Sequence, residues 1–196
     1  MKLGIISDIH CNVLGLQAAL AAIGPVDDLL CLGDSISQNR FSNEVVGLLR
    51  SSGARIILGN HEELFLSEAG KQARAQDQVD QELVAFLADQ PLQRRLTYDG
   101  KTVLMSHSTP WEPRGEYIYP HNERLEQFAE AGADFILYGH THAEVVRRVG
   151  DVIIVNPGSA GETRYTPNGW RLSCAVLDTV TCEVRMISYV DPRDAG

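Results

Sequence analysis

Five short apolar runs, each followed by polar side chains that can bind a metal ion, constrain this chain more than any other sequence feature. The runs are rich in Ile, Leu and Val, which is typical of buried strands. They cover residues 3–6, 29–32, 55–58, 102–105 and 135–138. The seven metal-capable side chains that follow them are those of Asp8, His10, Asp34, Asn60, His107, His140 and His142, and His61 lies next to Asn60. Each predicted strand therefore presents polar chemistry at the same end.

Helical patterns lie between these runs, at about 13–23, 42–50, 62–69, 79–89 and 122–131. Strands that alternate with helices predict an α/β fold with a largely parallel portion. The last third instead carries two antiparallel strand pairs, 144–149 with 152–155 and 172–177 with 182–189. We therefore predict two mixed sheets packed face to face with helices outside, in a single domain over residues 1–196. The polar tail from Asp191 is expected to be disordered.

The polar strand ends are expected to meet in one crevice, because ligands of open α/β sheets bind beyond the carboxyl ends of the strands. Side chains two residues apart in an extended segment point the same way, so Asp8 and His10 can hold one ion together. His140 and His142 can either face one ion or serve two adjacent ions. The glycines before Asp34, Asn60 and His140 allow sharp bends where a Cβ would clash.

The number and type of candidate ligands indicate two metal ions. Seven ligands exceed the roughly four to six that one first-row ion takes, whereas two ions that share a carboxylate use them all. Mixed imidazole and carboxylate ligands suit Mn, Fe, Co, Ni or Zn rather than Ca. We expect two divalent ions with Mn as the first choice, and such a pair can stabilise the attacking and leaving oxygens of an in-line phosphoryl displacement.

The ordered motifs DxH, GD, GNHE, a lone His and GHTH resemble those of the calcineurin-like metallophosphoesterases. The later stretch Asn156-Pro157-Gly158-Ser159 is similar to that of the small bacterial and archaeal phosphodiesterase branch, as are Ser108-Thr109-Pro110 and Glu116-Tyr117. This resemblance covers residues 1 to about 160. It implies a four-layer α/β/β/α sandwich of two mixed sheets, the metallophosphoesterase fold.

The resemblance also assigns a role to each ligand. One metal ion would be held by Asp8, His10 and His142, the other by Asn60, His107 and His140, with Asp34 between them. His61 would contact the scissile phosphate and help to protonate the leaving group, as the catalytic residue. A hydroxide that bridges both ions would attack phosphorus directly.

This reading makes the protein a phosphodiesterase on a small phosphodiester. The alternatives are a phosphomonoesterase or protein phosphatase, a dinucleoside polyphosphate hydrolase, and a non-catalytic scaffold of the same fold. One departure concerns Ser37, which stands where the protein-phosphatase branch has the last Asp of GDxxD. Because that Asp orients the catalytic His, His61 lacks its usual partner in the sequence.

Several further residues have two interpretations each. Asn12 could donate to a phosphate oxygen of the substrate or cap the first helix. Arg164 could bind the substrate phosphate through two hydrogen bonds or remain solvated. Trp111, Tyr117 and Tyr119 could stack on an organic group of the substrate or anchor their own loop.

The bulk composition narrows the possible partners and location. The formal charge of −9 argues against a nucleic-acid polymer as partner, because such binding needs Lys and Arg to displace counterions. No apolar stretch approaches the length of a membrane span. The four cysteines form no CxxC pair, so we expect reduced thiols in a cytoplasmic protein. Exposed apolar residues in the C-terminal hairpins could build a homo-oligomer.

Overall fold

The computed structural model describes residues 1–194. The strands are β1 (Lys2–Ile6), β2 (Asp28–Cys31), β3 (Arg55–Ile56), β4 (Gln93–Tyr98), β5 (Lys101–Ser106), β6 (Phe135–Leu137), β7 (Val145–Val149), β8 (Val152–Asn156), β9 (Arg164–Thr166), β10 (Gly169–Asp178) and β11 (Glu183–Tyr189). The α-helices are α1 (Val13–Ile23), α2 (Asn43–Ser51), α3 (Asn60–Leu66), α4 (Lys71–Arg74) and α5 (Gln81–Ala88). Three 3₁₀ helices cover Glu68–Gly70, Glu123–Ala131 and Pro192–Asp194.

The strands form two mixed sheets. The first sheet has the order β11-β10-β1-β2-β3, with β9 attached to β10, and β1, β2 and β3 run parallel. The second sheet has the order β4-β5-β6-β8-β7, in which β5, β6 and β8 run parallel. Antiparallel strands complete both sheets. Because the central strands of each sheet run parallel, their carboxyl ends lie together at one edge of that sheet.

Alternate side chains of the central strands separate the layers. In β1, Leu3 and Ile5 belong to the core cluster between the two sheets, whereas Ile6 packs against the helices of the first sheet. In β6, Phe135 lies between the sheets and Ile136 lies on the outer face. Because strand residues alternate between faces, one apolar run can serve two cores. The predicted four-layer sandwich of two mixed sheets is confirmed.

The outer layers differ from each other and, in part, from the predictions. The segment predicted as a helix over 122–131 is a 3₁₀ helix, capped by the Asn122 side chain and ended by Gly132 at φ 67°. The helix predicted to begin at Glu62 begins at Asn60, so that Asn60 and His61 occupy its first turn. The sequence did not predict the strands β4 and β9, because both are partly exposed and lack an apolar run.

The C-terminal tail corrects another prediction. Asp191 is buried, and the segment after it forms the short 3₁₀ helix Pro192–Asp194. The Arg193 side chain donates to both carboxylate oxygens of Asp191 and to the Gly161 carbonyl. The prediction of disorder is therefore wrong for residues 191–194, and residues 195–196 lie outside the described part. The single-domain assignment stays a prediction.

Within residues 1–194, no helix combines the length and the apolar character that a membrane crossing requires.

Candidate metal centre

All seven predicted ligands come together at the carboxyl ends of the strands. Three of them, which we call the first cluster, are Asp8, His10 and His142, and three others, the second cluster, are Asp34, His107 and His140. Within each cluster the ligand atoms lie within 4.8 Å of one another. The seventh, Asn60, joins the second cluster, because its Oδ1 lies 3.1 Å from Nε2 of His107. His140 and His142 therefore belong to different clusters.

The second cluster is buried and its ring orientation is fixed. The His107 side chain has no exposed surface, and its Nδ1 donates to the Leu32 carbonyl over 2.7 Å. This bond turns Nε2 toward Asp34 Oδ2, 3.2 Å away. Burial opposes a charge on His107, but the Asp34 carboxylate outweighs it and raises the pKa of His107 to about 10. In return, despite its burial, Asp34 has its pKa lowered by His107.

The first cluster is more open. Nε2 of His10 and Nε2 of His142 face each other at 3.1 Å, and Asp8 Oδ1 lies 3.4 Å from the His142 nitrogen. The His142 side chain is 21% exposed, and its Nδ1 lies 3.4 Å from the Glu162 carboxylate. Burial lowers the pKa of His10, whereas the Asp8 carboxylate, acting against burial, raises the pKa of His142. Glu162 thus fixes one His142 nitrogen and leaves the other facing Asp8.

These side chains fit metal binding. The Nε2 atom of His140 is buried and has no hydrogen-bond partner within residues 1–194. A buried polar atom without a partner is costly, and a metal ion is one way to satisfy it. Burial first, and then repulsion from His107, lowers the pKa of His140 to about 4, so that this imidazole is neutral near pH 7. A neutral ring with a free nitrogen beside carboxylates is the form that divalent transition metals bind.

Left-handed backbone conformations aim most of these ligands. Positive φ angles between 47° and 65° occur at Asp8, His10, Asp34, His140 and His142. Such a conformation costs roughly 1–3 kcal/mol at a non-glycine residue and clusters at functional sites. Asp8 and His10 do face one site as predicted, but the expected reason is wrong. Their segment is not extended, and left-handed turns rather than strand alternation direct both side chains inward.

Two glycines let the loops of the second cluster touch. A Cβ on Gly33, whose φ is +92°, would lie 2.6 Å from the Gly59 backbone nitrogen. A Cβ on Gly59 would lie 2.2 Å from Asp34 Oδ1. No side chain fits at either distance. The predicted steric reason for glycine before Asp34 and Asn60 is therefore confirmed.

The Glu62 carboxylate holds the same loops together and was not identified as a functional residue from the sequence. One of its oxygens accepts from the backbone N–H groups of Asp34 and Gly59, both at 2.8 Å. The other accepts from the Ser35 hydroxyl at 2.7 Å and the Ile36 N–H at 3.0 Å. Glu62 is fully buried, and burial raises its pKa while its donors oppose that shift. The only sequence signal was its place in GNHE.

A backbone group orients His61 in place of the missing aspartate. The Gln38 N–H donates to His61 Nδ1 over 3.0 Å, so the proton of the neutral ring must reside on Nε2. That nitrogen faces the cleft, 3.8 Å from Asp34 Oδ2. Ser37 contributes only a backbone bridge to Arg40. A backbone N–H group leaves no pattern in the sequence, so the sequence could not predict Gln38 as the hydrogen-bond partner of His61.

The stretch 156–159, with the sequence NPGS, holds the loops that carry predicted metal ligands and belongs to neither cluster itself. The Asn156 amide donates to the Gly139 carbonyl at 2.7 Å and to the Thr141 hydroxyl at 3.1 Å, on either side of His140. The Ser159 hydroxyl donates to the Asp8 carbonyl at 2.7 Å. These bonds stabilise the left-handed loops that carry ligands of both clusters.

Asn12 caps the first helix, whereas Arg164 lies at the cleft. Asn12 is buried and caps α1: its Oδ1 accepts from the Gly15 N–H, and its amide donates to Gly161 and Asp191. The cap is therefore observed, and no amide hydrogen remains for a phosphate. Arg164 lines the cleft, where one guanidinium nitrogen donates to the Thr141 carbonyl at 2.7 Å.

The aromatic residues of the loop after His107 divide between the cleft and the loop itself. The Tyr117 ring stacks on the His140 imidazole with 3.8 Å between centroids, and Tyr119 stacks on Tyr117 in turn. Trp111 contacts Phe128 edge to face, which anchors the loop to the 3₁₀ helix. Tyr117 thus buttresses a predicted ligand, a contact that spacing could not predict.

A four-layer sandwich with clustered histidines and carboxylates at its strand ends defines a metal-dependent hydrolase. The chain belongs to the calcineurin-like phosphoesterase superfamily, whose domain model matches residues 1–181, and it is a hydrolase that acts on phosphoesters. It is 25% identical to a phosphodiesterase of Methanocaldococcus jannaschii, over 95% of this chain and 98% of that protein. An uncharacterised protein of the same organism is 28% identical, over 94% of this chain and 86% of its own length. A metallophosphoesterase structure from Sphaerobacter thermophilus superimposes with a TM-score of 0.80 at 25% identity, covering 100% of this chain and 91% of that chain.

Proposed function

We propose that this protein is a dinuclear, metal-dependent phosphodiesterase that hydrolyses a small phosphodiester in one direct displacement. The position of Asp34 carries the proposal. Its carboxylate shares one group of close ligand atoms with His10 and His61, and another with His107 and His140. A carboxylate has two oxygens and a negative charge, so at this point it can join two cations.

The two clusters divide the ligands between the ions. The first ion would bind Asp8, His10 and His142, the second would bind Asn60, His107 and His140, and both would bind Asp34. We expect Mn, with Fe, Co, Ni or Zn as alternatives, because imidazole and carboxylate ligands are combined. When bound, such a pair of ions supplies Lewis acidity and an activated water to an in-line displacement.

His61 presents its Nε2–H to the cleft between the clusters. The Gln38 N–H bond to Nδ1 fixes this tautomer, so the ring can donate a hydrogen bond to a phosphate oxygen or to the leaving oxygen. Tyr117 and Arg164 border the cleft on the sides of His140 and His142. These walls can direct the two organic groups of a diester away from the ligands.

The preference for a diester is supported by the phosphodiesterase relative, which this chain matches over nearly its whole length. The cleft holds about 310 Å³, at the lower end of the roughly 300–1,000 Å³ of small-molecule sites, which favours a small substrate. The −9 charge continues to favour a small substrate over a nucleic-acid polymer.

The test is hydrolysis of bis(p-nitrophenyl) phosphate by protein loaded with Mn²⁺, beside p-nitrophenyl phosphate as the monoester. We expect the diester to be cleaved faster. His61→Ala should lower kcat by about 10²–10³-fold, which is the usual effect of losing one hydrogen-bond donor to the charge that develops on the phosphate oxygens. The metal content, measured by elemental analysis, should stay at two ions per chain.

The matched control is His121→Ala, since His121 is an exposed histidine outside both clusters. It should keep both the rate and the metals. No hydrolysis of either ester at any metal loading would refute the proposed activity. Loss of bound metal in His61→Ala would refute the role proposed for His61.

A further inference from the structure

A second cavity opens directly beside the metal cleft. It holds about 690 Å³ and shares His142, Glu162 and Arg164 with the cleft. Small-molecule sites are typically about 300–1,000 Å³, so the cavity has room for an organic group larger than a phenyl ring. A substrate whose phosphate lies in the cleft can therefore extend past Arg164 into this space.

One wall of the cavity carries an exposed tyrosine, Tyr165, whose ring contacts a tryptophan, Trp170, that lies outside the cavity lining. Tyr165, in β9, is 74% exposed, and Trp170, in β10, is 58% exposed. Their rings contact each other edge to face at 5.6 Å, and neither belongs to the three apolar core clusters. The pair therefore does no packing for the core, and a ring face of Tyr165, which lines the cavity, is free to stack on a planar group.

The remaining wall is polar with balanced charge. Arg164 and Arg171 provide two cations, and Glu144 and Glu162 provide two carboxylates. The Asn168 side chain and several hydroxyl groups also line the cavity. Two carboxylates disfavour a polyanionic chain, and an apolar tail would shut these charged side chains off from water. The wall suits a neutral group that carries hydroxyls.

We propose that this cavity binds a nucleoside group of the phosphodiester whose phosphate occupies the metal cleft. The planar base stacks on Tyr165, and the sugar hydroxyls bond to Glu144 and Asn168. Arg164 borders both the metal cleft and the second cavity, and it lies beside the ester oxygen that links the phosphate to the nucleoside. This assignment rests on the proposed phosphodiesterase activity and specifies its substrate class.

The test compares two diesters that share one leaving group, p-nitrophenyl thymidine 5′-phosphate and bis(p-nitrophenyl) phosphate. In each, water adds to phosphorus and the P–O bond to p-nitrophenol breaks, so p-nitrophenolate departs with the bonding electrons. Only the retained group differs. We expect wild type to have at least a tenfold higher kcat/KM for the thymidine diester, mainly through KM.

Tyr165→Ala should reduce that ratio about tenfold, which corresponds to 1.4 kcal/mol. Tyr165→Phe keeps the ring and should keep the ratio. Arg148→Ala, an exposed position at the far end of β7, is the surface control for a change without contact to the cavity.

Binding supplies a readout that does not depend on turnover. The chain has two tryptophans, so Trp111→Phe leaves Trp170 as the single reporter, beside Tyr165. Thymidine 5′-phosphate should alter its fluorescence and bind at least tenfold more tightly than inorganic phosphate, which fills only the metal cleft. Tyr165→Ala in the same background should remove this gain.

The outcomes separate the two proposals. If wild type cleaves both diesters equally well, or if Tyr165→Ala keeps the wild-type ratio of the two kcat/KM values, the proposed nucleoside site is wrong. The proposed phosphodiesterase activity is then still supported. If neither diester is cleaved while thymidine 5′-phosphate still binds better than phosphate, the activity is wrong and the cavity assignment stands as a binding site. Equal binding of both ligands refutes the cavity assignment directly.

Discussion

The first and second clusters use the same ligand types but differ in how their surroundings hold them. In the second cluster, His107 is fully enclosed and anchored to the Leu32 carbonyl, and Glu62 holds the loops that carry Asp34. In the first cluster, His142 is partly exposed and its anchor is Glu162, a carboxylate that is 59% exposed. An ion held by buried, anchored ligands should exchange more slowly than one held by exposed ligands. We therefore expect the second cluster to bind its ion more tightly.

The largest effect expected separates His107→Ala from His142→Ala. Without metal, His107→Ala leaves the buried Asp34 carboxylate without its partner, which costs about 3–5 kcal/mol of unfolding free energy. His142→Ala removes a partly exposed ring; the buried Asp8 carboxylate loses this partner but keeps the His140 N–H, so the cost should be smaller, roughly 1–3 kcal/mol. Chemical denaturation of both metal-free variants measures the difference. Equal losses would show that the clusters do not differ in this way.

Glu62→Gln should weaken the second cluster more than the first, because Glu62 holds the backbone of Asp34 and of Gly59, the residue before Asn60. The glutamine amide would face two backbone or hydroxyl donors, and each unpaired buried donor costs about 1–3 kcal/mol. Metal affinity at the second cluster should fall about 10–100-fold, as for other residues that position ligands. Calorimetric metal titration measures both sites.

The matched control is Glu63→Gln, which alters the next carboxylate and its ion pair with the exposed Arg114. It should change stability by less than about 1 kcal/mol. A loss as large as that of Glu62→Gln would mean that the position in α3, rather than the buried hydrogen bonds, explains the effect.

Metal uptake by the second cluster should depend on pH. His107 has a pKa of about 10 in the folded metal-free protein, above the value of about 6.5 for an unperturbed imidazole. Its pairing with Asp34 therefore contributes full stability below pH 6.5 and loses it as pH rises toward 10. A metal must displace that proton, so affinity should rise about tenfold per pH unit between pH 7 and 9.

The first cluster should level off at a lower pH, because burial lowers the pKa of His10, and His142, whose pKa the Asp8 carboxylate raises against burial, is partly exposed. Competition with a chelating dye at several pH values measures both sites. An affinity of the second site that is flat across this range would contradict the His107–Asp34 pair.

The smallest effect expected comes from Glu162→Gln. Because this carboxylate is exposed, loss of its charge should lower the affinity of the first cluster by less than the roughly 10–100-fold that a buried positioning residue costs. Glu130→Gln, on the distant 3₁₀ helix, is the control. If Glu162→Gln lowered the metal affinity of the second cluster instead, the pairing of Glu162 with the first cluster would be wrong.

Much of the fold could be predicted because the central strands are apolar on both faces. Residues such as Leu3 and Ile6 serve different cores, so their run stands out against the helices. The edge strand β4 did not stand out, because only one of its six residues is fully buried and its polar sequence resembles a loop. The 3₁₀ form of Glu123–Ala131 was also missed, since the same amphipathic spacing is compatible with an α-helix.

The sequence by itself determined which side chains can bind metal and in what order they occur, because ligand chemistry is a property of each residue and its place after a strand. The spacing left open whether His140 and His142 face one ion, and the family resemblance assigned them to different ions. The tertiary structure places them in different clusters through left-handed backbone turns, which leave no mark on an apolar pattern. It oriented His61 with the Gln38 backbone N–H, a group that every residue except proline carries. It also placed the β9–β10 hairpin, which carries Tyr165, beside the cleft. The sequence could not predict this contact, since it joins segments that are distant along the chain.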